Sequence, residues 1–185
     1  MHNYRISKYR NSKSGSFFLA QEWTAFSDVG KIFNGHELSM TEYLQAEEKY
    51  ISCVSDILCC CKIKNLWITY LESNHQKTAW KTGMLLFEED IHSFIRDCLR
   101  EKCWGILETC SFRIEFGFDF YIHISCRLSL ASVQSIANKY SLTVEKWGKI
   151  QSGIRLQITQ VLLRVQEGIC NLWDELKNIK QTRSP

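Results

Sequence analysis

Between Phe112 and Ile124 every even position is apolar (Phe112, Ile114, Phe116, Phe118, Phe120, Ile122, Ile124), while the odd positions read Arg113, Glu115, Gly117, Asp119, Tyr121 and His123. A period of two marks an extended chain with one buried face, since helical side chains return to a face every 3.6 residues instead. One strand of this length would run roughly 43 Å, well beyond the usual span, so a hairpin is expected. Parity constrains the loop. A two-residue turn at Gly117 and Phe118 would set Phe116 opposite Asp119 and mix core with polar side chains. An odd loop over 117–119 pairs Phe116 with Phe120, Ile114 with Ile122 and Phe112 with Ile124. A continuous strand bent by a bulge at Gly117 is the alternative.

Helical periods flank this stretch. Ser39 and Glu42 form the S-x-x-E capping box, with Leu38 and Tyr43 placed as a hydrophobic staple, so a helix is predicted to begin there. Its apolar stripe is Tyr43, Leu44, Tyr50, Ile51, Val54, Ile57, Leu58 and Cys61, running about six turns to the triplet Cys59–Cys61. Asn65 to Leu71 reads as a buried strand. Phe87, Ile91, Phe94, Ile95, Cys98 and Leu99 keep helical spacing, with acids in the first turn and bases toward the last, as the helix dipole favours. Ser129 can cap a short helix bearing Val133, Ile136, Ala137 and Tyr140. Tyr4–Tyr9 and Leu142–Trp147 read as outer strands, and residues 22–35 as short extended pieces around an Asp28/Gly30 turn and the Asn34/Gly35 pair. The expected fold is α+β, an antiparallel or mixed sheet with helices packed mainly on one face.

The expected organisation is one α+β domain over 1–147 and a helical extension over 148–185. In the extension Ile158, Leu162, Val165, Ile169, Leu172, Leu176 and Ile179 alternate spacings of four and three, an amphipathic seam of the coiled-coil type. It predicts either packing on the same domain or self-association through a helix over 154–180.

Composition narrows the function. A net charge of +3 is too small to indicate nucleic-acid binding, and residues 36–147 hold fifteen acids against twelve bases. Residues 1–16 lack the apolar core of a secretory signal, and there is no 18-residue apolar run, so a cytoplasmic protein without a membrane span is expected. Its nine cysteines, an odd number, then read as reduced thiols. Three consecutive cysteines on a helix point in three directions and cannot share one tetrahedral metal site, and no CxxC or HxxxH occurs, so neither a metal nor another cofactor is expected. No nucleophile elbow or glycine-rich phosphate loop is present. The cluster Asp119, Tyr121 and His123, joined by Glu115 and Arg113 across the hairpin, is the one group of residues suited to acid and base steps, and a small cytosolic enzyme using it is the alternative reading. With no catalytic motif beside it, the face reads as a binding surface or as a solvated sheet face.

The stretch "EWTAFSDVGKIFNGHELSMTEYLQAEEKYI", Glu22 to Ile51, followed by "FGFDFYIHI" and "LTVEKW", resembles in order the blocks of the immunity proteins that accompany bacterial polymorphic and contact-dependent growth inhibition toxins. The likeness covers about Tyr4 to Trp147; Phe118 and Phe120 stand where that family usually has tyrosines. It implies a non-enzymatic protein that binds the C-terminal domain of a cognate toxin in the cytosol, with no catalytic residue and no direct contact with nucleic acid. The mildly acidic body suits a basic partner such as a nuclease toxin. Glu115, Asp119, Tyr121 and His123 are the expected partner-binding residues.

Overall fold

The computed structural model describes residues 1–9, 22–73, 78–117 and 120–147. Among the described residues nine strands and three α-helices follow in the order β1 (His2–Ser7), β2 (Ile32–Phe33), β3 (His36–Glu37), α1 (Met40–Cys61), β4 (Asn65–Ser73), β5 (Leu85–Phe87), α2 (Glu88–Leu99), β6 (Cys103–Thr109), β7 (Phe112–Phe116), β8 (Ile122–Cys126), α3 (Leu130–Lys139) and β9 (Thr143–Lys146). Seven strands form one antiparallel sheet in the order β5-β4-β6-β7-β8-β1-β9. The short hairpin β2–β3 stands apart from it, turning through Asn34 and Gly35 at φ 51 and 78, the positive angles of a tight hairpin turn.

The alternation works as period two requires. Phe112, Ile114, Phe116, Phe120, Ile122 and Ile124 are all buried, and they join Tyr4, Ile6, Leu66, Ile68 and Leu107 from other strands in a single core with the buried stripes of α1, α2 and α3. The helices thus pack against one face of the sheet. Strand β6, in "CWGILET", fills the centre of the sheet, and β5 precedes α2 at its edge; the sequence pattern anticipated neither. Gly105 lets α2 approach closely, because a Cβ there would fall 2.5 Å from Phe94 Cζ.

The capping box at the start of α1 forms as expected: the Glu42 amide donates to Ser39 Oγ at 3.2 Å, and the Ser39 amide donates to Glu42 Oε2 at 3.0 Å. The stripe above it is the expected one at Tyr43, Tyr50, Ile51, Val54, Ile57 and Leu58, with one departure. Leu44 is exposed, and Glu47, one turn after Tyr43, is buried in its stead. Its carboxylate accepts from Arg96 Nε at 3.1 Å and from Arg100 Nε and Nη2 at 2.6 and 2.8 Å, joining α1 to α2. Ser129 caps α3, its hydroxyl accepting from the Ser132 amide at 3.2 Å.

The opening stretch is a hairpin with an odd loop, longer than expected. Phe116 pairs with Ile122 and Ile114 with Ile124, so the loop is residues 117–121, closed by the Gly117 amide on the Tyr121 carbonyl at 2.8 Å. Two extra residues preserve parity and shift the register by one pleat. Phe120 therefore leaves the ladder. Its ring stands edge-on to Trp23, Tyr43 and Tyr50, at centroid distances of 5.1, 5.6 and 5.5 Å, and Tyr50 donates its hydroxyl to the Phe120 carbonyl at 2.7 Å. This anchoring holds Phe120 at φ 59, a left-handed conformation that costs a bulky residue about 1–2 kcal/mol. Edge-on ring pairs contribute about 0.5–1.5 kcal/mol each beyond area burial, enough to offset it. The consequence falls on Tyr121, which faces the other side of the sheet. The predicted helix over 154–180 and its seam lie outside the described residues. Among the described residues no helix is long and apolar enough to cross a membrane.

Candidate functional site

The sheet face opposite the helices carries two polar rows, fixed by antiparallel register. One crosses Tyr70, Ile106, Glu115, His123, Arg5 and Glu145 on β4, β6, β7, β8, β1 and β9. The other crosses Trp67, Glu108, Arg113, Ser125 and Asn3. Directly opposed side chains on one face lie close enough to interact, so each row is a chain of contacts.

The centre of the second row, Glu108, Arg113 and Ser125, is buried, and although its charges are paired, Arg113 Nε and Nη1 meet no hydrogen-bond partner among the described residues. Arg113 and Glu108 are 6% and 4% exposed, with Arg113 Nη1 3.5 Å from Glu108 Oε1 and Nη2 2.9 Å from Glu115 Oε2. Thr69 donates to Glu108 Oε2 at 3.2 Å, and Ser125 donates to Asn3 Oδ1 at 2.7 Å. Thr69 lies at a bulge in β4, where the register with β6 shifts between Ile68 and Tyr70. Arg113, expected on a solvated surface, is instead an interior charge that orients Glu115.

The first row borders a groove. It has a volume of about 590 Å³, within the usual range for binding pockets, and its lining includes Tyr70, Trp104, Tyr121 and Trp147 as aromatic walls and Arg5, Glu72, Glu115 and His123 as polar groups. The Arg5 guanidinium is clamped, 4.8 Å from the Tyr121 ring centre and 4.4 Å from that of Trp147, with Nη2 donating to Glu145 Oε2 at 2.7 Å. His123 stacks on Trp147 with centroids 4.8 Å apart and planes 20° from parallel. Burial holds the His123 imidazole below its ordinary pKa; Glu115 pulls it up and Arg5 pushes it further down. It is therefore neutral at pH 7. Its Nε2 is sealed from solvent and meets no hydrogen-bond partner among the described residues.

Gly117 shapes the floor. A Cβ at this position would lie 3.2 Å from Tyr121 Cβ and 3.3 Å from His123 Cε1, tighter than ordinary contact. Trp104 is held by its indole N–H, which donates to the Phe116 carbonyl. A second cavity of about 540 Å³ adjoins, sharing Glu72, Trp104, Phe116, Gly117 and Tyr121, and reaches the thiols of Cys98 and Cys103, whose sulfurs are 3.7 Å apart.

Of the four expected site residues, Glu115, Tyr121 and His123 line the same groove, while Asp119 lies outside the described residues. Glu115 and His123 are directly opposed, yet the imidazole makes no hydrogen bond to a described residue: Glu115 turns to Arg113, and His123 stacks on Trp147. The site therefore offers recognition chemistry: aromatic planes, carboxylates and a neutral imidazole. Sequence reasoning missed Arg5, Tyr70, Glu72, Trp104 and Trp147. They lie on β1, β4 and β6 and just after β9, where alternation is weak and acquires meaning only when the strands are placed side by side.

Among the strand residues of this face, the carboxylates Glu72, Glu108, Glu115 and Glu145 outnumber the guanidinium groups Arg5 and Arg113, leaving two negative charges. Among the described residues no group of three or more His, Cys, Asp and Glu is placed to hold a metal ion. No family model matches the chain, and neither a curated protein nor a solved structure matches it.

Proposed function

We propose that the chain is an immunity protein, which binds the C-terminal domain of a cognate toxin in the cytoplasm and blocks it without chemistry of its own. The observation that carries this reading is the aromatic, net-acidic groove on the sheet face away from the helices. Three of the four residues singled out from the sequence line it. Protein interfaces favour Tyr, Trp and Arg at their cores, and energy concentrates in a few such anchors within a pocket. Tyr70, Trp104, Tyr121, Trp147 and Arg5 give this face that composition. The two surplus negative charges suit a basic partner, a nuclease toxin being one such class, by steering its approach.

The test is co-expression with any toxin C-terminal domain that proves to be encoded beside this gene, together with capture of that domain by the purified chain. Protection and a stable complex are expected. Alanine at Glu115, Asp119, Tyr121 and His123 together is expected to weaken capture by at least about tenfold, some 1.4 kcal/mol, with the circular dichroism spectrum unchanged. Undiminished capture by a folded quadruple variant would move the interface elsewhere, and failure of the chain to protect against any adjacent toxin would overturn the assignment.

A further inference from the structure

We propose that the groove is a receptor for an arginine side chain presented by the partner protein. The inference rests on reading this face as a protein-binding surface and names the group that enters it. Two carboxylates line the groove with capacity unused among the described residues. Glu115 gives Oε2 to Arg113 and Glu72 gives Oε2 to the Tyr70 hydroxyl, at 2.9 and 3.0 Å, so each carboxylate keeps its Oε1.

An incoming group that satisfies two carboxylates must carry several donors and a positive charge. It must also tolerate aromatic walls, here Trp104 and Tyr70. Guanidinium meets all these demands: it is planar, holds five donors in a fixed fork, is weakly hydrated and stacks on aromatic rings. A lysine ammonium has three donors and a tighter hydration shell, and it would reach fewer of the acceptors. The molecule already uses this chemistry once, on Arg5, held between two rings with a carboxylate at its end. The net negative charge of the face favours a cation over a neutral isostere.

The experiment titrates the full chain with N-acetyl-arginine-methylamide and follows the indole N–H signals of Trp104 and Trp147 by NMR. N-acetyl-citrulline-methylamide, isosteric and uncharged, and N-acetyl-lysine-methylamide serve as comparison probes. A saturable shift at Trp104 in the millimolar range is expected for arginine, with affinity at least about fivefold above citrulline and above lysine. Glu72→Gln, at a position that takes no part in the buried ion pairs, is expected to lower the arginine affinity about three- to tenfold, and Glu72→Gln with Glu115→Gln to abolish the shift. Equal binding of citrulline, an unshifted Trp104, or full arginine affinity in Glu72→Gln would overturn the proposal. The two readings fail separately. If the chain captures its toxin while the arginine probe leaves Trp104 unmoved, the arginine receptor falls and the partner surface stands. If arginine saturates the groove while no adjacent toxin is captured, the assignment as an immunity protein falls and the receptor stands.

Discussion

Replacing Gly105 with alanine tests how closely α2 is seated beneath the groove. The added Cβ would lie 2.5 Å from Phe94 Cζ and 3.0 Å from the Tyr70 carbonyl oxygen. Carbon atoms rest at about 3.5–4.0 Å, so the phenyl ring has to retreat by roughly 1 Å or more. It has little room. Phe94 is fully buried, with the rings of Trp80 and Phe116 at 5.5 and 6.1 Å. The second contact is with the backbone of the bulged strand β4, which cannot swing aside as a side chain does. Overpacking costs about 1–3 kcal/mol, and a backbone clash places this case at about 2–3. Alanine also restricts the unfolded chain, which returns about 0.4–1 kcal/mol. The net loss is then about 1–2.5 kcal/mol, and a domain of this size loses about 3–9 °C in Tm. Urea unfolding followed by circular dichroism measures it. Phe94→Leu withdraws the ring edge, so the double variant is expected to be less destabilised than the two single losses combined by at least about 1 kcal/mol. A loss below about 0.5 kcal/mol for Gly105→Ala, or simple additivity with Phe94→Leu, would refute the close seating.

Two further outcomes follow from groups outside the groove floor. Glu47→Ala removes the carboxylate that joins Arg96 and Arg100 and is expected to cost about 2–3 kcal/mol, less than a fully sealed ion pair because both guanidinium groups reach solvent. Glu47→Leu, which restores apolar contact on the buried stripe of α1, is expected to lose less than half as much; equal losses would show that charge, not shape, decides the position. The His123 imidazole titrates below its ordinary value of 6.5 because it is buried. Below that pH the unfolded chain binds a proton that the folded chain resists, so stability declines as pH falls from about 6.5 toward the folded value, and it is fully retained above 6.5. Unfolding free energies between pH 7.5 and 5 are expected to fall less steeply in His123→Gln than in the natural chain, and parallel profiles would contradict the burial of the ring.

Local signals carried the helices and the hairpin because their causes are local. The capping box of Ser39 and Glu42 lies within four residues, and the alternation from Phe112 to Ile124 is a property of one segment. Glu47 shows where locality ends. It lies four residues after Tyr43 and three before Tyr50, on the buried stripe, yet a lone glutamate there reads as solvated until Arg96 of α2 and Arg100 just past its end, 49 and 53 residues onward, are brought to it. Strand β6 was obscured for the same reason: in "CWGILET" the apolar Trp104 and Ile106 fall on the outer face, so no alternation marks the strand, and its place at the centre of the sheet depends on β4 and β7 on either side.

The loop after Phe116 draws the same boundary within a few residues. Parity alone excluded an even loop, since a one-residue slip would have turned every phenylalanine outward. Loops of three and five residues satisfy parity equally, and the choice between them belongs to Trp23, Tyr43 and Tyr50, which draw Phe120 into the core. The groove is decided the same way. The sequence by itself determined which face of the segment from Phe112 to Ile124 is polar, because side-chain direction follows from a two-residue period. Only the tertiary structure decided that Arg5, Glu72, Trp104 and Trp147 meet Glu115, Tyr121 and His123, because strand order and register place residues more than a hundred positions apart side by side.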